Sequence, residues 1–223
     1  MSVRAERGLV VLAKWPRAGR AKRRLQAAVG TRGSTALAHA FLADTAALAG
    51  HTCADATLVA FAPPSAAARF AVAFPGAALV AQPRGSFGTR LARALDAGLE
   101  RARSVVLVGT DSPTLDPRIV DAAFAALAHG FDCVLGPSRD GGYYLIGCRR
   151  RLPRSVFSPM PWSTSCVLSL TRERVRGAGL RLKLMPERYD VDDAASLAVL
   201  RADRAGLRRA VATAATLRAL DVA

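Results

Sequence analysis

Six short apolar runs recur along the chain, at 8–13 (GLVVLA), 56–61 (ATLVAF), 77–81 (AALVA), 104–109 (SVVLVG), 132–136 (DCVLG) and 143–147 (YYLIG). Each is apolar at both alternating sets of positions and is bounded by Gly, Pro or Asp. That is the pattern of a strand covered by helices on both faces. Helical patterns lie between the runs, near 34–49, 65–72, 86–102, 117–129 and 163–177, with one or two more helices over 193–222. Ser86 suits an N-cap ahead of an apolar stripe of Leu91, Leu95 and Leu99, and Pro117 suits a first helical turn. Strands that alternate with helices predict a mainly parallel α/β sheet. No linker or internal repeat interrupts the pattern, so residues 1–223 read as one domain.

Length and charge narrow the function. A chain of 223 residues buries roughly 70% of its unfolded surface, enough for a real core. Its 32 Lys and Arg against 17 Asp and Glu give a net charge of +15. The positive charge is nearly all arginine, with Lys only at 14, 22 and 183, and it is spread over the whole chain. No basic run with interleaved aromatics and no recognition-helix motif accompanies it, which argues against a dedicated nucleic-acid role and for an anionic substrate. Cys53, Cys133, Cys148 and Cys166 are far apart, with neither CxxC spacing nor the density of a disulfide scaffold, and so read as reduced thiols of a cytosolic protein. The N-terminal apolar stretch stops at Lys14, too soon for a signal peptide, and no segment approaches the roughly 20 apolar residues of a membrane span. The expectation is a soluble, cytoplasmic protein with no membrane partner.

In an open α/β sheet the ligand lies beyond the carboxyl ends of the strands, so the loops that follow them carry the chemistry. After the first run comes KWPRAGRAKRRL, residues 14–25, with two of the three lysines beside turn-forming Pro16 and Gly19. A basic turn ahead of a helix can cradle phosphates with ammonium, guanidinium and backbone N–H groups, which makes Lys14, Arg17, Lys22 and Arg24 candidates. It is neither a Walker loop nor GxGxxG. The alternative is a solvated basic loop. Asp111, in VGTDSP, ends the fourth run and can hold a divalent ion against a diphosphate, or simply cap the next turn.

Three further segments follow. In GPSRDGGYY, residues 136–144, Gly141 and Gly142 permit close approach of a substrate while Asp140 points at a hydroxyl or amine; a plain hairpin turn is the alternative. Tyr143 or Tyr144 supplies a stacking wall, and only one of them, because successive strand residues face opposite ways. Trp162, Ser163 and Thr164 put an amphipathic ring before two hydroxyls at an expected helix start, where capping and core packing compete with acceptor binding. Asp190, Asp192 and Asp193, in YDVDD, place three carboxylates in four residues; one can cap the next helix, and one can join Asp111 on the ion.

The stretches KWPRAGRAKRRL, QPRGSFGTRLARAL, VVLVGTDSPTL, VLGPSRDGGYYLIG, PWSTS and DVDDAASL, in this order, resemble a bacterial glycosyltransferase-A-like family. Its members are described as arsenosugar-biosynthesis or radical-SAM/selenodomain-associated glycosyltransferases, within the nucleotide-diphospho-sugar transferase superfamily. The resemblance runs from Gly8 to about Leu200. It implies a single-domain, Rossmann-like three-layer sandwich with a mostly parallel sheet, a nucleotide at its N-terminal half and an acceptor at its C-terminal half. It also implies phosphate binding by Lys14, Lys22 and Arg24, and Mg²⁺ or Mn²⁺ on Asp111, with Asp192 as second ligand. On the acceptor side it points to Gly141, Gly142, Tyr143, Trp162, Ser163 and Thr164, with Asp140 as general base. The chain departs from its relatives in having a single aspartate at Asp111 rather than Asp-x-Asp, no glycine-rich LAxGxGxR loop, and Arg23 where Thr is expected. Three outcomes stay open: glycosyl transfer from a nucleotide-sugar, nucleotidyl transfer from an NTP with pyrophosphate release, and a non-catalytic nucleotide- or nucleic-acid-binding protein.

Overall fold

An apolar run covered on both faces has to sit in the middle of a sheet, and the computed structural model, which describes residues 4–222, places the runs there. The strands are β1 (Ala5–Lys14), β2 (Ala56–Ala62), β3 (Ala78–Ala81), β4 (Ala102–Val108), β5 (Cys133–Pro137), β6 (Tyr143–Cys148) and β7 (Leu182–Leu184). They form one sheet in the order β3-β2-β1-β4-β6-β5-β7. All pairings are parallel except those of β6, which runs antiparallel to both β4 and β5.

The helices are α1 (Gln26–Gly50), α2 (Ala67–Ala73), α3 (Phe87–Leu99), α4 (Pro117–Ala128), α5 (Val167–Gly177), α6 (Ala194–Ala202), α7 (Arg204–Arg209) and α8 (Val211–Asp221). The two-residue period of β1 sends Leu9, Val11 and Ala13 into a core with Leu42 of α1, Phe70 of α2 and Phe124 of α4. It sends Val10 into a second core with Leu91 and Leu95 of α3 and Val175 of α5. A third cluster joins Leu37 and Phe41 of α1 to Val191, Leu197, Leu200 and Leu217. Because Leu25 belongs to this cluster, the loop after β1 and the segment before α6 are packed together.

Each sandwich face is therefore fixed by burial, and full burial of a Leu or Val side chain contributes about 1.5–3 kcal/mol. The fold is the expected α/β three-layer sandwich, with local differences. β7 escapes the run pattern because it has only three residues, with Lys183 between its two leucines. α1 begins at Gln26 rather than 34, with a break at Gly30, whose φ of 68° is the left-handed conformation that glycine tolerates. α5 begins at Val167 rather than 163, and the C-terminal stretch is three helices. No helix among the described residues is long and apolar enough to cross a membrane.

Candidate functional site

Strand order reverses at β1, with β2 on one side and β4 on the other, so the loops after β1 and β4 diverge and open a crevice at their carboxyl ends. Lys22 occupies it. Its Nζ lies 2.5 Å from Asp111 Oδ1, in the loop after β4, and 2.7 Å from Asp192 Oδ1, before α6. The lysine side chain is only 10% exposed, whereas Asp111 and Asp192 are 50% and 46% exposed, so the acids face the crevice and the lysine lies beneath them. The Val191 N–H donates to the Asp111 carbonyl at 2.8 Å, which locks the two acidic segments side by side.

Asp190, the first of the three YDVDD carboxylates, is neither the helix cap nor a partner of Lys22. It accepts from the Ser112 hydroxyl and, at 3.0 Å, from that of Ser138. Burial pushes its carboxyl up to about 6 against these hydrogen bonds, with the charges of Asp111 and Asp140 adding to the rise. Asp140 is exposed on the β5–β6 turn, where it accepts from the Gly142 N–H at 2.9 Å. The hairpin-turn alternative thus describes what Asp140 does locally, while its exposure leaves the carboxylate open to the crevice side. Asp193 is different again: it caps α6 in a reciprocal capping box with Ser196. The Ser196 N–H and hydroxyl hold its carboxyl below the usual range, and Arg24 adds to this.

Lys14, Arg17 and Arg24 are exposed on the rim and have no carboxylate within ion-pair distance among the described residues. Gln82, also absent from the candidate list, ties the ends of two strands by donating from Nε2 to the carbonyls of Ala13 at 2.9 Å and Ala60 at 2.7 Å.

The acceptor-side candidates are joined to the acids through Gly141. Its φ is +87°, and a Cβ there would lie 2.2 Å from the Ser165 carbonyl oxygen, so only glycine lets the β5–β6 turn meet the 160s loop. The Leu168 N–H donates to the Gly141 carbonyl at 2.8 Å across the same contact. Trp162 stands half-buried, edge-on to Phe87 at 4.8 Å and to Tyr143 at 6.4 Å. Tyr143 braces that ring, but its hydroxyl is buried with no hydrogen-bond partner among the described residues, and burial raises its pKa. Tyr144 turns the other way and donates to the Pro186 carbonyl at 2.8 Å. Ser163 and Thr164 do not begin a helix. Ser163 takes a φ of 67°, and Thr164 donates to the Pro161 carbonyl at 2.7 Å, so both belong to an exposed turn ahead of α5.

Two concavities, of about 370 and 850 Å³, lie at the opposite, amino-terminal edge of the sheet. Their arginines are engaged: Arg149 and Arg150 with Asp132, and Arg7 with Asp55. The crevice at the carboxyl edge is where Lys22 and the acids converge.

The family resemblance of the sequence motifs implies a divalent ion on Asp111 and Asp192. No group of three or more His, Cys, Asp or Glu side chains is gathered as a metal centre among the described residues. Asp111 and Asp192 nevertheless fit the smaller requirement of Mg²⁺, which takes one or two protein carboxylates and completes its shell with phosphate oxygens and water. The Lys22 ammonium is the stand-in cation that shows both carboxylates can serve one positive charge.

Among solved structures, a protein of Desulfovibrio desulfuricans G20 provisionally named a nucleotide-diphospho-sugar transferase matches with a TM-score of 0.89 and 29% identity over 98% of this chain and 96% of that one. CMP:2-keto-3-deoxy-manno-octonic acid synthetase, solved with CTP, matches with a TM-score of 0.56 and 17% identity over 89% and 98%. Glucosyl-3-phosphoglycerate synthase of Mycobacterium tuberculosis, solved with Mn²⁺, UDP and glucosyl-3-phosphoglycerate, matches with a TM-score of 0.52 and 15% identity over 97% and 80%. The last two likenesses concern the fold alone. No curated protein sequence matches. The sequence profile of one bacterial family covers residues 42–164, from α1 past Trp162. With more than half its length inside that profile, the chain belongs to DUF2064, a family described as an uncharacterized protein conserved in bacteria.

Proposed function

We propose that the chain is a divalent-metal-dependent transferase that takes a nucleotide-sugar donor and moves its glycosyl group to a small acceptor. The observation that carries this reading is the meeting of Lys22, Asp111 and Asp192 at the strand-order reversal. Transfer at a diphosphate needs charge stabilisation more than covalent chemistry from the protein. Lys14, Arg17 and Arg24 bind the phosphates from the rim, and Asp111 and Asp192 would hold Mg²⁺ or Mn²⁺. When bound, that ion supplies charge neutralisation at the diphosphate oxygens. Trp162, braced by Tyr143 and Phe87, provides the acceptor wall, and Gly141 and Gly142 leave room for the acceptor beside Ser163 and Thr164. Asp140 accepts the acceptor's proton as general base. The likeness to the D. desulfuricans protein supports the sugar-nucleotide donor. The finer tie, to arsenosugar-biosynthesis or radical-SAM-associated glycosyltransferases, rests on the sequence motifs.

A second reading, nucleotidyl transfer from an NTP, is favoured by one feature: the acid pair is split between two segments far apart in sequence rather than set in an Asp-x-Asp. Product analysis separates the two. Thermal-shift screening of nucleotide-sugars and NTPs with Mn²⁺ identifies the donor, because a ligand at 100 times its Kd stabilises by about 2.7 kcal/mol. Nucleoside diphosphate release from the stabilising nucleotide-sugar is the expected result. Pyrophosphate release from an NTP would establish the second reading, and stabilisation by no nucleotide would remove both.

A further inference from the structure

Lys22 does not sit like a phosphate ligand waiting in solvent. Its Nζ is shared between Asp111 and Asp192, and it also faces the Phe41 ring at 5.6 Å from the centroid. Its backbone is left-handed, with φ 44° and ψ 52°, a conformation that disfavours any residue with a Cβ. The loop thus holds an uncommon conformation that delivers one ammonium to one place. Asp111 and Asp192 are the carboxylates that would hold the ion, and a metal ion would have to displace the ammonium already paired with both. The other basic residues of the loop, Lys14, Arg17 and Arg24, are exposed and without carboxylate partners among the described residues, so the anion-facing charge of the rim does not depend on Lys22.

We infer that Lys22 is a displaceable internal cation that closes the acid pair in the ligand-free protein and makes metal and nucleotide bind together. The inference rests on the reading of Asp111 and Asp192 as the metal ligands. Metal alone has to compete with a tethered positive charge already on both carboxylates. An arriving diphosphate gives the ammonium a new partner, and its head swings off the acids and off the face of Phe41. The carboxylates are then open to the ion. Coupling of this kind is reciprocal, so the ion raises nucleotide affinity by the same factor as the nucleotide raises that of the ion.

The test uses Mn²⁺ alone, followed by the paramagnetic signal of free Mn²⁺ and by calorimetry, and inorganic pyrophosphate as a base-independent phosphate probe. Lys22→Met keeps an unbranched side chain of similar length and removes the charge; Lys22→Gln is the second variant, with thermal melts confirming the fold of each. Mn²⁺ alone is expected to bind the variants about tenfold more tightly than the wild type, within the usual range of such couplings, while pyrophosphate alone binds them several-fold more weakly. Pyrophosphate should strengthen Mn²⁺ binding in the wild type and do so far less in the variants. If Mn²⁺ and pyrophosphate bind the wild type together but the variants take Mn²⁺ alone no more tightly than it does, Lys22 is a phosphate ligand only and the inference fails. If wild type and variants bind no Mn²⁺ with or without pyrophosphate, UTP or CTP, the metal-site reading fails with it.

Discussion

Three aspartates within four positions show how little a residue's identity settles by itself. Asp190 is half-buried between Ser112 and Ser138, Asp192 faces Lys22, and Asp193 caps α6. That one of the three caps the next helix was legible from the helical pattern that follows; that it is Asp193, through Ser196, is settled only by the fold. The ion pair was not, because Lys22 is 170 residues away and only the fold brings it there. The two neighbours should therefore respond oppositely. Asp193→Ala is expected to cost about 1 kcal/mol of stability through the lost cap, with nucleotide affinity unchanged. Asp192→Asn should leave the melting temperature near that of the wild type and weaken metal-nucleotide binding about tenfold or more, as loss of one carboxylate from a two-carboxylate site requires. Paired thermal melts and calorimetry on the two variants check both. Equal effects would mean that the division of roles within YDVDD is wrong.

At the scale of elements, the strands with strong apolar runs were legible and the weakly marked ones were not. β7 is held in place by partners outside itself. Asp132, just before β5, accepts from the Arg181 N–H at 2.9 Å and from Arg149 at 3.2 Å, and pairs with Arg150 at 3.1 Å. Burial pushes its carboxyl up, but those donors and charges outweigh it and hold it below the ordinary range. A carboxyl lowered by folding contributes stability above its unfolded pKa of about 3.9 and loses that contribution as pH falls through the lower folded value. Acid titration of stability should accordingly show a loss below about pH 4 that Asp132→Asn flattens. Urea midpoints measured across that range provide the check.

The start of α3 makes a second argument at this scale. A Cβ at Gly88 would lie 2.3 Å from the Phe157 carbonyl oxygen and 3.1 Å from the Trp162 ring. Backbone cannot yield as a flexible side chain can, so Gly88→Ala should cost about 1–3 kcal/mol and shift the Trp162 fluorescence. The motif QPRGSFGTRL made the helix start readable through Ser86, whose hydroxyl accepts from the Thr89 N–H at 3.1 Å. The packing that demands glycine at 88 was not readable, because Phe157 and Trp162 lie far along the chain. Likewise, a helix start expected at Ser163 moves to Val167 because the 160s loop is committed to its contact with Gly141.

For the molecule as a whole, with its net charge of +15, the basic residues at the two edges of the sheet differ in how they are paired. At the amino-terminal edge the arginines are matched: Arg149 and Arg150 by Asp132, Arg151 and Arg154 by Asp96, and Arg7 by Asp55. At the carboxyl edge Lys14, Arg17 and Arg24 remain without such partners among the described residues, beside an acid pair suited to an ion. That asymmetry favours a small anionic ligand over a nucleic acid. Generic duplex DNA should bind weakly, with affinity falling steeply as salt rises, as a purely phosphate-driven interaction does. A sequence-selective submicromolar complex at physiological salt would contradict this.

In the proposed function a nucleotide is held at the carboxyl edge through a divalent ion on Asp111 and Asp192. Calorimetry of the Mn²⁺ complex of the donor nucleotide with the wild type and with Asp111→Asn tests it most directly. The account predicts that the variant keeps its melting temperature and loses nearly all metal-dependent nucleotide affinity. Unchanged affinity in Asp111→Asn would contradict it.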